Sequence, residues 1–252
     1  EVTVLPALPY APKTVLRASV DECQVNEVIR VYVSLFDIND NVVSVPGHVV
    51  QVEFGDVITK TATFVQSASR FETSTKIYAV GNYTVRVYVN DEIACQDQGP
   101  SYVNVLPGAL VLENCVLEYN TQTTAGDGTH IQIELNDQYY NEPDGTFDVA
   151  FFVGDSIVSP VHNVTGEYYD ATSVIDTVGN YSVSAAVSGA IAGEEGYLII
   201  VPAPVSTEHC SVGFDEGAGD TIKAGELLLP RIYTQDEFGN EVAPLDGIVN
   251  VT

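Results

Sequence analysis

"YAVGNYTVRVYVNDEIAC", residues 78–95, lies over "DTVGNYSVSAAVSGAIAG", residues 176–193, without a gap at an offset of 98. The match continues upstream, with Phe71 over Tyr169 and Ile77 over Ile175. Further upstream "VEFGD", ending at Asp56, matches "FFVGD", ending at Asp155, at an offset of 99. Self-similarity at a fixed period is the mark of an array of supersecondary units rather than one large domain. Within the first stretch Tyr83, Val85, Val87 and Val89 share one face, against Asn82, Thr84, Arg86, Tyr88 and Asn90 on the other. The second stretch repeats this with Tyr181, Val183, Ala185 and Val187 inside. A period of two with one apolar face describes a half-buried strand, so the repeating unit is built of strands.

A third copy starts later. "DECQV" (21–25), "ENCVL" (113–117) and "EHCSV" (208–212) bring Cys23, Cys115 and Cys210 into one register. "VLP" at 4–6 recurs at 105–107, with "VP" at 201–202 in the same place. The expected organisation is a last strand of a preceding repeat in 1–9, full repeats in 10–106 and 107–202, and the first half of a third in 203–252. Glu1 is no translation start, and the chain is expected to be processed or cut from something longer. Short alternating segments at "VIRVYVSLF", "HVVQVEF", "HIQIEL", "FDVAFFV" and "YLIIV" are punctuated by Gly, Asn, Asp and Pro, and no stretch carries a helical period. About seven short strands per hundred residues predict an all-β chain of tandem immunoglobulin-like β-sandwiches with no significant helix.

Composition narrows the function. The chain carries 9 Lys+Arg against 35 Asp+Glu, a net charge of −26, so it lacks the cationic footprint that nucleic acid or an anionic membrane requires. No apolar run approaches the length of a membrane-spanning helix. The histidines His48, His130, His162 and His209 fall at unrelated repeat positions, none of the four Cys forms a C-x-x-C pair, and no nucleophile elbow, P-loop or zinc-protease motif is present. The expectation is a non-enzymatic protein without a resident cofactor. Sequons at Asn82, Asn163, Asn180 and Asn250 make these the candidate sites for N-linked glycans on an extracellular or cell-surface chain.

One element tests the repeat. "FDINDNVVSVP", residues 36–46, contains Asp37-Ile38-Asn39-Asp40-Asn41, which resembles the D-x-N-D-N calcium motif of cadherins. The same position in the second copy reads Asp137-Gln138-Tyr139-Tyr140-Asn141, and in the third Asp236-Glu237-Phe238-Gly239-Asn240. Only the first Asp and the last Asn persist, as a hairpin turn explains: Asp bonds the backbone two residues on, and Asn tolerates the left-handed conformation. The element also lies a third of the way into each unit rather than at its end. The hairpin is the leading reading, and calcium held by Asp37, Asn39 and Asp40 is the alternative.

The run Gly179, Tyr181, Val183 followed by Ile191, Ala192 and Gly193, together with the D-x-x-x-N hairpin, is similar to filamin-type and bacterial-surface immunoglobulin-like repeats. The filamin Ser-Pro-Phe after this run is absent, and Cys95 stands where the second copy has Gly193. The resemblance implies a scaffold. It implies that Tyr83 and Tyr181 bury their rings at the start of the sixth strand and return their hydroxyls to the backbone. It also implies that Cys23 and Cys95 fall at one end of the sandwich, where a disulfide forms. The leading functional expectation is a structural segment of a surface filament or appendage, self-associating with neighbouring copies through edge strands, with residues 1–9 a candidate for addition to a partner's sheet. The alternative is the stalk of an adhesin or receptor whose binding tip lies elsewhere.

Overall fold

The computed structural model describes residues 6–94, 101–158, 161–162, 168–214 and 230–243. By its internal contacts the chain divides into two compact units: Glu1–Leu110 with Asp137–Asp144, and Val111–Asn136 with Gly145–Thr252. Helix is confined, among the described residues, to the 3-10 turns Ala11–Lys13, Gln66–Ala68 and Leu112–Asn114. None of these is long and apolar enough to cross a membrane.

The first unit contains β1 (Val15–Ala18), β2 (Glu22–Gln24), β3 (Ile29–Ser34), β4 (Val50–Phe54), β5 (Ile58–Val65), β6 (Arg70–Thr75), β7 (Gly81–Val89), β8 (Glu92–Ala94) and β9 (Ser101–Leu106). They pair in the order β1-β3-β6-β5-β4-β7-β9-β2, with β8 on β7. Strand β5 joins the two faces: residues 58–62 pair with β4, and 63–65 pair with β6. The result is a sandwich of β1-β3-β6 over β4-β7-β9-β2. Counting β1 with β2 and β8 with β9 leaves seven strand positions.

Alternation sets the core. Ile29, Val31 and Val33 of β3 face Val50, Val52 and Phe54 of β4, and all six are fully buried. Val85, Val87, Val103 and Val105 close the layer from β7 and β9. Packing apolar side chains from two inner faces between the sheets is what drives such a sandwich to form.

The second unit repeats the plan with β10 (Val116–Tyr119), β11 (Gln122–Thr124), β12 (Gly128–Glu134), β13 (Val149–Val153), β14 (Ser156–Val158), β15 (Val161–His162), β16 (Tyr169–Val174), β17 (Gly179–Val187) and β18 (Ala190–Val201). Here two separate sheets form, β10-β12-β16-β15 and β11-β18-β17-β13-β14. Ile131, Ile133, Phe151, Val183, Ala185, Leu198 and Ile200 fill the space between them. A hairpin-like pair, β19 (Ser211–Phe214) with β20 (Pro230–Tyr233), begins the third copy.

Strand pairing corrects one register. Cys23 lies on β2, where it opposes Val105 of β9. Its counterpart is Thr123 on β11, which opposes Ile200 of β18. Cys115 instead ends the 3-10 turn before β10, in the place Thr14 holds before β1, and Cys210 likewise precedes β19. Aligning Cys23 with Cys115 matched two buried small residues, one on a strand and one on the turn that precedes a different strand.

Candidate functional site

The persistent Asp and Asn of each hairpin form a hydrogen-bonded clamp. In the second copy Asp137 is fully buried, yet its carboxylate is surrounded by donors. Tyr139 N and Asn141 N donate to Oδ1 at 2.6 and 3.0 Å. Asn141 Nδ2 reaches both oxygens, at 3.2 and 3.1 Å. Gly108 N, from the chain segment leading into the repeat, donates to Oδ2 at 2.8 Å. Asn141 then faces outward: its Nδ2 donates to Tyr78 O at 2.9 Å, and its Oδ1 accepts from Val80 N at 3.1 Å. The Asp thus ties down the entering chain, and the Asn grips the corner just before β7. The tilted contact of Tyr78 and Tyr139, with ring centroids 5.0 Å apart, covers the same junction.

The third copy reproduces this geometry inside the second unit. Phe238 N and Asn240 N donate to Asp236 Oδ1 at 3.0 and 2.8 Å, and Ala203 N donates to Oδ2 at 3.0 Å. Asn240 Nδ2 donates to Asp176 O at 2.7 Å, and Val178 N donates to Asn240 Oδ1 at 3.0 Å. The first copy has the inner half: Asn39 N and Asn41 N donate to Asp37 Oδ1 at 2.8 and 2.9 Å, and Ala7 N donates to Oδ2 at 3.0 Å. Residues 6–9 take no strand pairing, and this bond commits Ala7 N–H within the chain.

The electrostatics follow from the donors. The Asn41 side-chain amide, with the Ala7, Asn41 and Asn39 backbone N–H groups, draws the Asp37 carboxyl down to about 2 against the cost of burial. Burial is the largest single influence on Asp137 and Asp236 and pushes upward. Their N–H donors together outweigh it, and both carboxyls lie below the usual range. The left-handed residue is the fourth of each hairpin rather than the closing Asn, with φ of 65° at Asp40, 61° at Tyr140 and 85° at Gly239; the Asn is kept for its side-chain bonds instead. Only the third copy has the glycine this conformation favours.

The two carboxylates among the calcium candidates have other partners here. Both Asp37 oxygens accept from N–H groups, while Asp40 pairs with Lys13 Nζ at 2.8 Å. Lys13 Nζ also donates to Ile38 O at 2.9 Å, which places an ammonium at the loop. Among the described residues no group of three or more His, Cys, Asp or Glu side chains is placed to hold a metal ion.

Tyr83 Oη donates to Ala79 O at 3.0 Å, and Tyr181 Oη to Thr177 O at 2.9 Å. Each ring lies against two glycines, Gly55 and Gly81 for Tyr83, and Gly154 and Gly179 for Tyr181. The "GD" turn and the "GNY" strand start are therefore two sides of one packing contact. Asn82 and Asn180 are exposed, while Asn163 and Asn250 lie outside the described residues. Cys95 also lies outside them. Cys23 is a buried free thiol whose pKa is raised, first by burial and then by Glu27 and Glu22. Gly193, which the sequence equates with Cys95, sits beside Cys115: an added Cβ would come 3.0 Å from the Cys115 carbonyl oxygen.

Sequence reasoning marked Asp137 and Asn141 but not what they hold. The receiving groups are backbone atoms of Gly108, Tyr78 and Val80, which leave no side-chain signature. The recurrence of Ala7, Gly108 and Ala203 some thirty residues before each Asp was the available hint.

No protein-family model matches the chain, and no curated protein matches its sequence. Solved structures share its fold. The Escherichia coli adhesin FdeC superposes with a TM-score of 0.57 at 15% identity, covering 94% of this chain and 77% of that one. InvD of Yersinia pseudotuberculosis gives 0.51 at 19% identity over 92% of this chain and 73% of its own. Invasin, a bacterial integrin-binding protein, gives 0.51 at 16% identity over 93% of this chain and 49% of its own. The fold is that of tandem immunoglobulin-like β-sandwiches.

Proposed function

We propose that this chain is a non-enzymatic segment of a tandem immunoglobulin-like array on a cell surface, serving as a load-carrying stalk with repeats at 10–106, 107–202 and 203–252. The observation that carries the proposal is the clamp: the same Asp and Asn, in successive copies, hold the entering chain by one hand and the preceding corner by the other. An array that must transmit tension has to protect its connections, and charge-assisted bonds to a buried carboxylate are stronger than ordinary turn contacts. The fold likeness to FdeC, described as an adhesin, and to invasin, described as integrin-binding, supports the cell-surface setting. The exposed sequons at Asn82 and Asn180 support N-linked glycans at equivalent strand positions. A filament or appendage made from the same array is the second reading. It is favoured by a sheet face bearing Arg17, Arg30 and Arg70 in a chain of net charge −26.

Two measurements test the stalk. Antibody raised against this segment is expected to label unbroken cells, and labelling that appears only after lysis refutes the location. In force spectroscopy of the 252-residue chain, Asn141→Ala and Asn240→Ala are expected to lower the force at which the clamped corners give way. Unchanged force would refute a mechanical role for the clamp.

A further inference from the structure

The equivalent outer sheet faces of the two full repeats carry opposite charge. In the first, the outward residues of β1, β3 and β6 include Arg17, Arg30, Tyr32, Arg70 and Glu72. Arg70 Cζ stands 4.1 Å over the Tyr32 ring, and its Nε bonds Glu72 Oε1 at 2.7 Å, which holds this patch in place. A shallow polar groove lined by Arg30, Thr61, Thr63, Glu72, Thr73 and Ser74 lies on the same face.

Strand pairing identifies the counterparts. Arg17 opposes Tyr32 as Glu118 opposes Gln132, Ser34 opposes Val15 as Glu134 opposes Val116, and Tyr32 opposes Glu72 as Gln132 opposes Asp170. The cation Arg17 is therefore replaced by Glu118, Arg30 by His130 and neutral Ser34 by Glu134, while Glu72 persists as Asp170. Residues 107–202 contain neither Lys nor Arg.

The geometry points to a second copy of this chain as the partner of the cationic face, received through the acidic face of its second repeat. The spacing agrees with the charge. Arg17 and Arg30 lie on adjacent strands one diagonal step apart, and so do Glu118 and Glu134, a separation of roughly 7–8 Å in either case. Two charges at one spacing superpose on two others at the same spacing after rotation in the plane of the interface, so both ion pairs form together. A net charge of −26 repels whole copies, but a Debye length of about 8 Å at physiological salt screens that repulsion and leaves pairs in contact. This association goes beyond the stalk reading, because a stalk carries load as a single chain.

Sedimentation of the full 252-residue chain tests it through a charge swap. The unaltered chain is expected to associate near physiological salt, and to dissociate in about 1 M salt, where screening reaches the contacts. Arg17→Glu/Arg30→Glu and Glu118→Arg/Glu134→Arg are each expected to weaken association at least about tenfold, since each turns attraction into repulsion. An equimolar mixture of the two variants restores an opposite-charge contact and is expected to recover association. Circular dichroism and thermal unfolding confirm that both variants are folded. An unaltered chain that stays monomeric, variants that associate as it does, or a mixture that stays dissociated overturns the proposal while leaving the stalk reading intact.

Discussion

Replacing Asn141 with Ala removes the outer half of one clamp and leaves the hairpin backbone in place. Three contacts are lost: the bond from Nδ2 to Tyr78 O at 2.9 Å, the bond from Val80 N to Oδ1 at 3.1 Å, and the forked bond from Nδ2 to the Asp137 carboxylate at 3.2 and 3.1 Å. The first two involve exposed backbone groups that water re-solvates, so each contributes at the low end, about 0.5 kcal/mol. The third goes to a charged acceptor and contributes about 1.5 kcal/mol. Asp137 keeps Gly108 N, Tyr139 N and Asn141 N as donors, so its carboxylate is not left bare. The sum is about 2–3 kcal/mol, a 30- to 150-fold change in the local opening equilibrium. In a chain with two compact units a single unfolding midpoint blurs this, so amide hydrogen exchange is the sharper assay. Val80 N–H is expected to exchange 30 to 150 times faster in the variant, while core amides such as Val52 keep their rates. Unchanged exchange at Val80 would mean that this contact does not hold the corner, and would refute the clamp argument.

Other outcomes follow from the same geometry. The Asp37 carboxyl at about 2, with Asp137 and Asp236 also lowered, contributes stability that is fully present above the normal Asp range near 4 and is lost as pH falls toward 2. Acid unfolding followed by circular dichroism is expected to show this loss, and Asp137→Asn is expected to flatten it. Tyr140→Gly relieves a left-handed, exposed tyrosine at φ 61° and is expected to raise stability by about 1 kcal/mol in denaturant unfolding. Gly193→Ala meets the Cys115 carbonyl oxygen at 3.0 Å from a φ of 72° and is expected to lower the melting temperature of the second unit. Tyr181→Phe loses the bond to Thr177 O and is expected to cost about 1 kcal/mol with the ring packing kept.

The alternation of Tyr83, Val85, Val87 and Val89, and its recurrence at Tyr181, Val183, Ala185 and Val187, was enough to determine strands, repeats and a two-layer sandwich. Period-two patterning records which face is buried, and burial is what drives the fold. The retained Asp37, Asp137 and Asp236 with their Asn partners point to a turn from chemistry local to five residues. Tertiary structure alone decided what those turns hold, because Gly108 N, Tyr78 O and Val80 N are backbone atoms that any residue presents. It alone separated Cys23 from Cys115, since rarity aligned a cysteine on β2 with one that ends the turn before β10. The charged faces required it as well: Arg17 and Arg30 are thirteen residues apart in sequence and become neighbours only through the register of β1 on β3. Patterns within one strand are written in the sequence, whereas neighbours across strands are set by pairing.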